Sequence, residues 1–276
     1  MNLFKKIWSQ RQKDNNDEQS RIWYLNARKL EESQQYERAI IAYEKAIGFQ
    51  PNYYEAWHCR SILFARLGKL EEAIVSLEKA IELKPKEAIL WQEKAEILEK
   101  ENKIESAISA YQTYAKLKPQ DADAWYRKGC LWEKANEYTE ALSAYDRAIE
   151  LRSDLYQGMS AREVVANKNT STEIIKLNSR FPEAWYRRGL ILKQMSRYID
   201  AIASFDKVIQ IQADNIEAWY EKARCYALQD NPFLAVQNLK KVLKLKNNWI
   251  EIIEQEKDFD SIRQADSFRQ LLALDN

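Results

Sequence analysis

Tryptophan recurs at positions 23, 57, 91 and 125, each 34 residues after the last, and again 34 apart at 185 and 219. The words around it repeat too: DADAWYRKG at 121–129, PEAWYRRG at 182–189 and NIEAWYEKA at 215–223. Ala39, Ala73, Ala107, Ala141, Ala201 and Ala235 keep the same beat, and Pro51, Pro85 and Pro119 close the first three units. A fixed period of this length marks supersecondary units that cannot bury their apolar faces alone and do so by stacking.

Each unit reads as two helices. In 122–155, Trp125, Gly129 and Trp132 fall on one face of a first helix, and Ala141, Leu142, Tyr145, Ala148 and Ile149 fall on one face of a second. Small residues at Gly129 and Ala141 let the two approach, while Trp125 and Tyr145 fill the space beside them. Five glycines and five prolines are too few for a strand-and-turn fold of 276 residues, so the class is all-α. With 46% hydrophobic residues the chain has enough apolar side chains for a core.

The pattern resembles the tetratricopeptide repeat (TPR) family, whose units run Trp, Leu, Gly, Tyr, Ala, Phe, Ala, Pro. In 54–87 these positions hold Trp57, Arg60, Ser61, Phe64, Ala73, Leu77, Ala80 and Pro85. In 20–53 they hold Trp23, Asn26, Ala27, Leu30, Ala39, Tyr43, Ala46 and Pro51. The usual Leu is polar or charged in every full unit, and the usual Gly survives only at Gly129 and Gly189. The resemblance implies a right-handed superhelical solenoid of antiparallel helix pairs, with six full units and one shortened one between 20 and 249.

The shortened unit is 156–181, eight residues short. YQGMSAREVVANK reads as its first helix, with Met159 in the Trp place, and STEIIKLNSRFPEAW as the end of a second helix running into the next repeat. It is either a decayed unit that the array absorbs or a kink that builds a site; neighbour-only packing favours decay. Residues 250–276 break the period and resemble the ending of many bacterial TPR arrays, DFDSIR followed by FRQLL. Ile250, Ile253, Phe259, Ile262, Phe268, Leu271 and Leu272 are expected to cover the last repeat. In DFD, Asp258 or Asp260 is expected to cap the following helix.

Residues 1–19 stand apart. Leu3, Phe4, Ile7 and Trp8 share one helical face, followed by the polar SQRQKDNNDEQS, read as a flexible linker. The segment is either disordered or docked on the first repeat, or else a peptide for a partner; residues 1–8 offer at most weak contact with a membrane surface.

Enzymatic chemistry finds no foothold in the sequence. His58 is the only histidine, the glycines never cluster, and no CxxC pair exists. No catalytic, metal or cofactor site is expected. The balance of 43 Lys+Arg against 42 Asp+Glu argues against nucleic acid as a partner. No apolar run approaches a membrane span, and three scattered cysteines fit a reducing cytoplasm.

In TPR proteins the first helices line a concave groove where partner segments lie. Carried over, the fifth positions are Tyr24, His58, Gln92, Tyr126, Tyr186 and Tyr220, and the ninth include Arg28, Ile62, Cys130, Leu190 and Arg224. Arg127 and Arg187 hold the sixth, with Asp123 and Glu183 placed for i,i+4 ion pairs. The Lys and Asn pattern that grips the C-terminal carboxylates of Hsp70 and Hsp90 is absent. The expectation is a protein-binding scaffold, adaptor or assembly factor that takes a partner segment in this groove. The alternative is a non-catalytic regulatory subunit working through the convex face or the N-terminal peptide.

Overall fold

The structure, a computed structural model, describes the backbone of residues 2–157 and 171–273, and side chains within these except at 2–4, 7, 152–181 and 247. Among the described residues there is no strand. The helices divide between two compact units, Met1–Pro119 and Gln120–Asn276.

The first unit holds three helix pairs: α1 (Asn2–Glu32) with α2 (Tyr36–Phe49), α3 (Tyr54–Arg66) with α4 (Leu70–Leu83), and α5 (Ala88–Lys100) with α6 (Ile104–Leu117). The second holds α7 (Ala122–Lys134) with α8 (Tyr138–Gln157), α9 (Ser171–Gln194) with α10 (Tyr198–Ile211), and α11 (Ile216–Leu228) with α12 (Pro232–Leu245). After α12 come a 3-10 turn (Asn247–Trp249), α13 (Ile250–Gln255), a second 3-10 turn (Lys257–Ile262) and α14 (Asp266–Ala273).

The turn inside every pair has one geometry. The second residue after the first helix takes a left-handed conformation, with φ between 54° and 75°, at Gln34, Gly68, Asn102, Asn136, Ser196 and Asp230. The next amide then donates back to the carbonyl five residues upstream, as Lys69 does to Phe64 at 2.9 Å and Arg197 to Leu192 at 2.8 Å. This closes the orphan carbonyls of the helix end. Only Gly68 suits the conformation without steric cost.

Packing within a pair follows the small-against-large reading. A Cβ on Gly129 would lie 2.6 Å from the ring of Tyr145, and one on Gly189 2.6 Å from the ring of Phe205. Both rings are fully buried, and the glycines let them lie close on the first helix; at the same positions Tyr43 and Tyr111 are buried opposite Ala27 and Ala95.

Two parts depart from the sequence expectation. Residues 2–32 form a single helix of 31 residues, so the expected flexible linker is helical. The stretch contains no Gly or Pro, so nothing interrupts a helix once the first repeat nucleates it. Burial of the described side chains begins at Ser20, whose hydroxyl donates to the Ala46 carbonyl at 2.8 Å. The second departure is α9, which runs unbroken through Pro182, where the end of one helix and the start of a repeat were expected. The expected first helix of the shortened unit, with Met159, lies outside the described residues.

In the C-terminal segment Ile253, Phe259, Ile262, Phe268 and Leu271 are buried in one cluster with Ala223, Ala227 and Leu239 of the last pair. The capping reading of DFD does not hold. Glu256 caps the second 3-10 turn, its Oε1 accepting from the Asp258 amide at 3.1 Å. Asp258 instead pairs with Arg224 at 2.8 Å, and Asp260 with Arg263 at 2.8 Å. The carboxylates are taken by guanidinium groups, which bind them more strongly than a backbone amide does.

Candidate partner-binding face

Contacts between successive repeats use two recurring links. The first runs from the seventh position of a repeat to the second helix before it. Arg60 pairs with Glu44 at 3.1 Å, Lys94 with Glu78 at 2.7 Å, Lys222 with Asp206 at 2.6 Å and Arg188 with Asp146 at 2.6 Å. Each cation also sits over the tryptophan three residues before it, as Arg60 does over Trp57 at 5.3 Å and Arg188 over Trp185 at 5.5 Å. This explains why the usual Leu is charged here: the position carries a cation–π contact and an inter-repeat ion pair. The tryptophans are half-buried wedges. Trp57, Trp91 and Trp219 each donate their indole N–H at 2.9 Å to a carbonyl six residues upstream.

The second link joins the fifth position to the sixth of the next repeat. Tyr24 lies 3.8 Å from Cys59, His58 2.7 Å from Glu93, and Tyr126 accepts from Arg187 Nε at 3.2 Å. The first two pairs are 35 residues apart and the third 61. The 26-residue difference is the length of 156–181. Repeat 182–215 therefore stacks directly on 122–155, and the extra segment leaves from between them. The backbone agrees: α8 has 20 residues where α2, α4, α6, α10 and α12 have 14, and α9 has 24 where α3, α5, α7 and α11 have 13.

In the first unit, the expected groove residues are all at least partly exposed. Tyr24 packs its ring 4.9 Å from Tyr53, and burial pushes its hydroxyl well above the usual tyrosine range. Arg28 is exposed, 3.6 Å from Glu31. His58 stacks on Tyr54 while bonded to Glu93. Gln92 donates to Glu96 at 3.2 Å, and Ile62 is half-buried beside them in sequence register.

In the second unit, Tyr126, Cys130, Tyr186, Arg187 and Leu190 are half-buried on α7 and α9. Arg187 reaches Tyr126, Glu133 at 3.3 Å and Glu183 at 2.9 Å, and Arg127 pairs with Asp123 at 3.2 Å. Both expected i,i+4 pairs are present. Burial raises the Tyr126 and Tyr186 hydroxyls, so both remain neutral donors at ordinary pH.

Tyr220 and Arg224 are placed differently. Tyr220 is only 6% exposed, with Trp249 at 5.0 Å and Phe259 at 5.9 Å against its ring and its hydroxyl donating to Glu256 at 3.1 Å. Arg224 is held by Glu221 at 2.7 Å, Asp258 at 2.8 Å and Glu256 at 3.3 Å, and Lys193 joins Glu221 at 2.6 Å. The C-terminal segment lies over the face of α11 that these two residues were expected to offer a partner. Sequence periodicity assigns positions to a face but carries no information about which segment covers it.

Four family models described as tetratricopeptide repeat match residues 20–53, 54–87, 93–156 and 182–215. The chain belongs to the tetratricopeptide repeat family. Among solved structures, the TPR fold is shared with the C-terminal part of a TPR protein from Cytophaga hutchinsonii (TM-score 0.61, 18% identity, 91% of this chain and 95% of that one). It is shared with YrrB, described as a TPR protein with an unusual peptide-binding site (TM-score 0.58, 19% identity, 77% and 96%). It is shared also with pilF of Pseudomonas aeruginosa (TM-score 0.52, 12% identity, 90% and 98%). No curated protein matches the sequence. TPR arrays are protein–protein interaction scaffolds, and this chain is a scaffold in that general sense.

Cys130 and Cys225 are tied into packing contacts. Burial pushes the Cys225 thiol up to about 12 and raises that of Cys130, which accepts from the Tyr145 hydroxyl at 3.4 Å. Neither is poised as a nucleophile. Among the described residues no group of His, Cys, Asp and Glu could hold a metal, and no helix is long and apolar enough to cross a membrane.

Proposed function

We propose that the chain is an adaptor that holds a segment of a partner protein against the first helices of its repeats, at the fifth, sixth and ninth positions. The carrying observation is the protein's own C-terminal segment on α11. Phe259 packs on the fifth-position Tyr220, while Glu256 and Asp258 meet the ninth-position Arg224. The first-helix face thus has the chemistry to receive an acidic, aromatic segment. The equivalent positions on α7 and α9 offer a related surface: Tyr126, Cys130, Tyr186, Arg187 and Leu190. Tyrosine beside arginine supplies rigid area with a polar tip, a composition common among residues that dominate binding energy. In the first unit Tyr24, Arg28, His58, Ile62 and Gln92 extend the same reading.

The test is a pull-down comparing the native chain with Tyr126→Ala/Tyr186→Ala, each checked for fold by circular dichroism. The proposal expects a specific partner to be lost with the variant. Capture of one unchanged set by both baits would refute it. Tyr220→Ala is unsuitable as a probe, since it opens the C-terminal packing.

A further inference from the structure

Later repeats whose predecessor lies in the same unit bury their third and tenth positions: Ala56 and Leu63, Leu90 and Ile97, Ala184 and Ile191, Ala218 and Cys225 are all at most 6% exposed. The first repeat has Ile22 at the third position, 51% exposed, and Leu25 at the sixth, also 51% exposed. The stacking face of α1 is therefore bare, with Ile22 and Leu25 as its apolar part and exposed Lys29 at the tenth position. It continues along the helix beyond the repeat: Trp8, Arg11, Asn15, Glu18, Ile22 and Leu25 are spaced by alternating steps of three and four, one stripe of a long helix. All six are exposed, Trp8 to 71%.

We propose that this stripe pairs with the same stripe of a second copy of the chain, antiparallel, about a two-fold axis at Asn15. The order of residues argues for that occupant. A two-fold contact requires that residue i meet j while j meets i. Centred on Asn15, Trp8 faces the other copy's Ile22, Arg11 comes within one residue, about 1.5 Å of helix rise, of its Glu18, and the reciprocal contacts follow by symmetry. Leu25 falls opposite the aliphatic stem of Lys5, which is also exposed. Trp8 thus meets Ile22 and Arg11 comes within reach of Glu18, twice over. A parallel pairing sets Arg11 against Arg11 and Glu18 against Glu18, which is repulsive. Arg11 and Glu18 lie about 10 Å apart along their own helix, too far to satisfy each other.

The experiment is sedimentation equilibrium of the full chain at low salt, over a wide concentration range, for the native protein, Arg11→Glu, Glu18→Arg and the double variant Arg11→Glu/Glu18→Arg. These positions are exposed, and circular dichroism verifies that each variant keeps its helix content. The native chain dimerises. Each single reversal raises the dissociation constant at least roughly tenfold, because two ion pairs become two like-charge contacts. The double reversal restores the native value, since the pairs re-form with their signs exchanged. A native chain that remains monomeric overturns the proposal and leaves the stripe to a different protein. So does a dimer indifferent to either single reversal, or a double variant no tighter than the singles.

Discussion

Arg187 donates from Nε to the hydroxyl of Tyr126 at 3.2 Å, across 61 residues of sequence. The same two repeat positions are joined at 35 residues in His58 and Glu93. One hydrogen bond thus defines the connectivity of the second unit: the repeat beginning at Pro182 is the structural successor of the repeat ending at Leu155.

Deleting 156–181 is therefore expected to leave the stack intact. The junction reads RSDLPEAW, of the same length as QPNYYEAW and KPKEAILW at intact junctions. Thermal unfolding of the deletion variant should stay within a few degrees of the native chain, with one cooperative transition for the second unit. Loss of cooperative unfolding would mean that the segment supports the stack.

Gly129→Ala is expected to destabilise the chain. The new Cβ would approach a fully buried Tyr145 ring to 2.6 Å. Overpacking of this kind costs about 1–3 kcal/mol, and the better helix propensity of alanine returns about 1 kcal/mol. Adding Tyr145→Leu should recover part of the loss, because Ser61 with Leu77 and Ala223 with Leu239 occupy the same positions elsewhere. Urea unfolding measures both; a more stable Gly129→Ala would contradict the packing account.

Gln34→Gly should work in the other direction. Gln34 is exposed at φ 58°, a conformation that strains any side chain. Glycine there should stabilise by about 0.5–1 kcal/mol after its extra unfolded-state entropy is counted. Gly68→Ala, at φ 75° with open space around it, should cost a similar amount through backbone strain alone. Chemical denaturation of the pair checks the signs.

Acid should weaken the C-terminal packing through Glu256. Burial opposes its charge, but the Asp258 amide, Arg224 and the Tyr220 hydroxyl together hold the carboxyl below the usual range. A carboxyl whose pKa is lowered by folding contributes stability that is complete above its unfolded pKa. That stability is lost as pH falls through the folded value. Hydrogen-exchange protection across residues 250–273, taken relative to the intrinsic rate at each pH, should fall below the ordinary carboxylate range, and Glu256→Gln should flatten that dependence. An unchanged pH profile in Glu256→Gln would place the acid sensitivity elsewhere.

The helix pairs and the family were legible because a period of 34 states itself in tryptophan and alanine, while the boundaries at residues 2–32 and at Pro182 were not. The charged residues at the seventh position were visible only as departures from the family pattern. Their partners, Glu44, Glu78, Asp146 and Asp206, recur at one place on the preceding helix, just after Tyr43, Leu77, Tyr145 and Phe205, but only the structure shows that the two positions touch. Of the expected binding face, Tyr126, Tyr186 and Arg187 lie partly exposed on their helices, while Tyr220 and Arg224 lie beneath the C-terminal segment.

By itself the sequence determined what depends on local period: an all-α chain, the tetratricopeptide repeats and the residues that share each helix face. Tertiary structure alone decided which faces are covered and which repeats are neighbours. Helix periodicity is a property of a dozen consecutive residues. Coverage of Tyr220 by Phe259, or stacking of Arg187 on Tyr126, depends on contacts between segments whose separation along the chain no repeat pattern encodes.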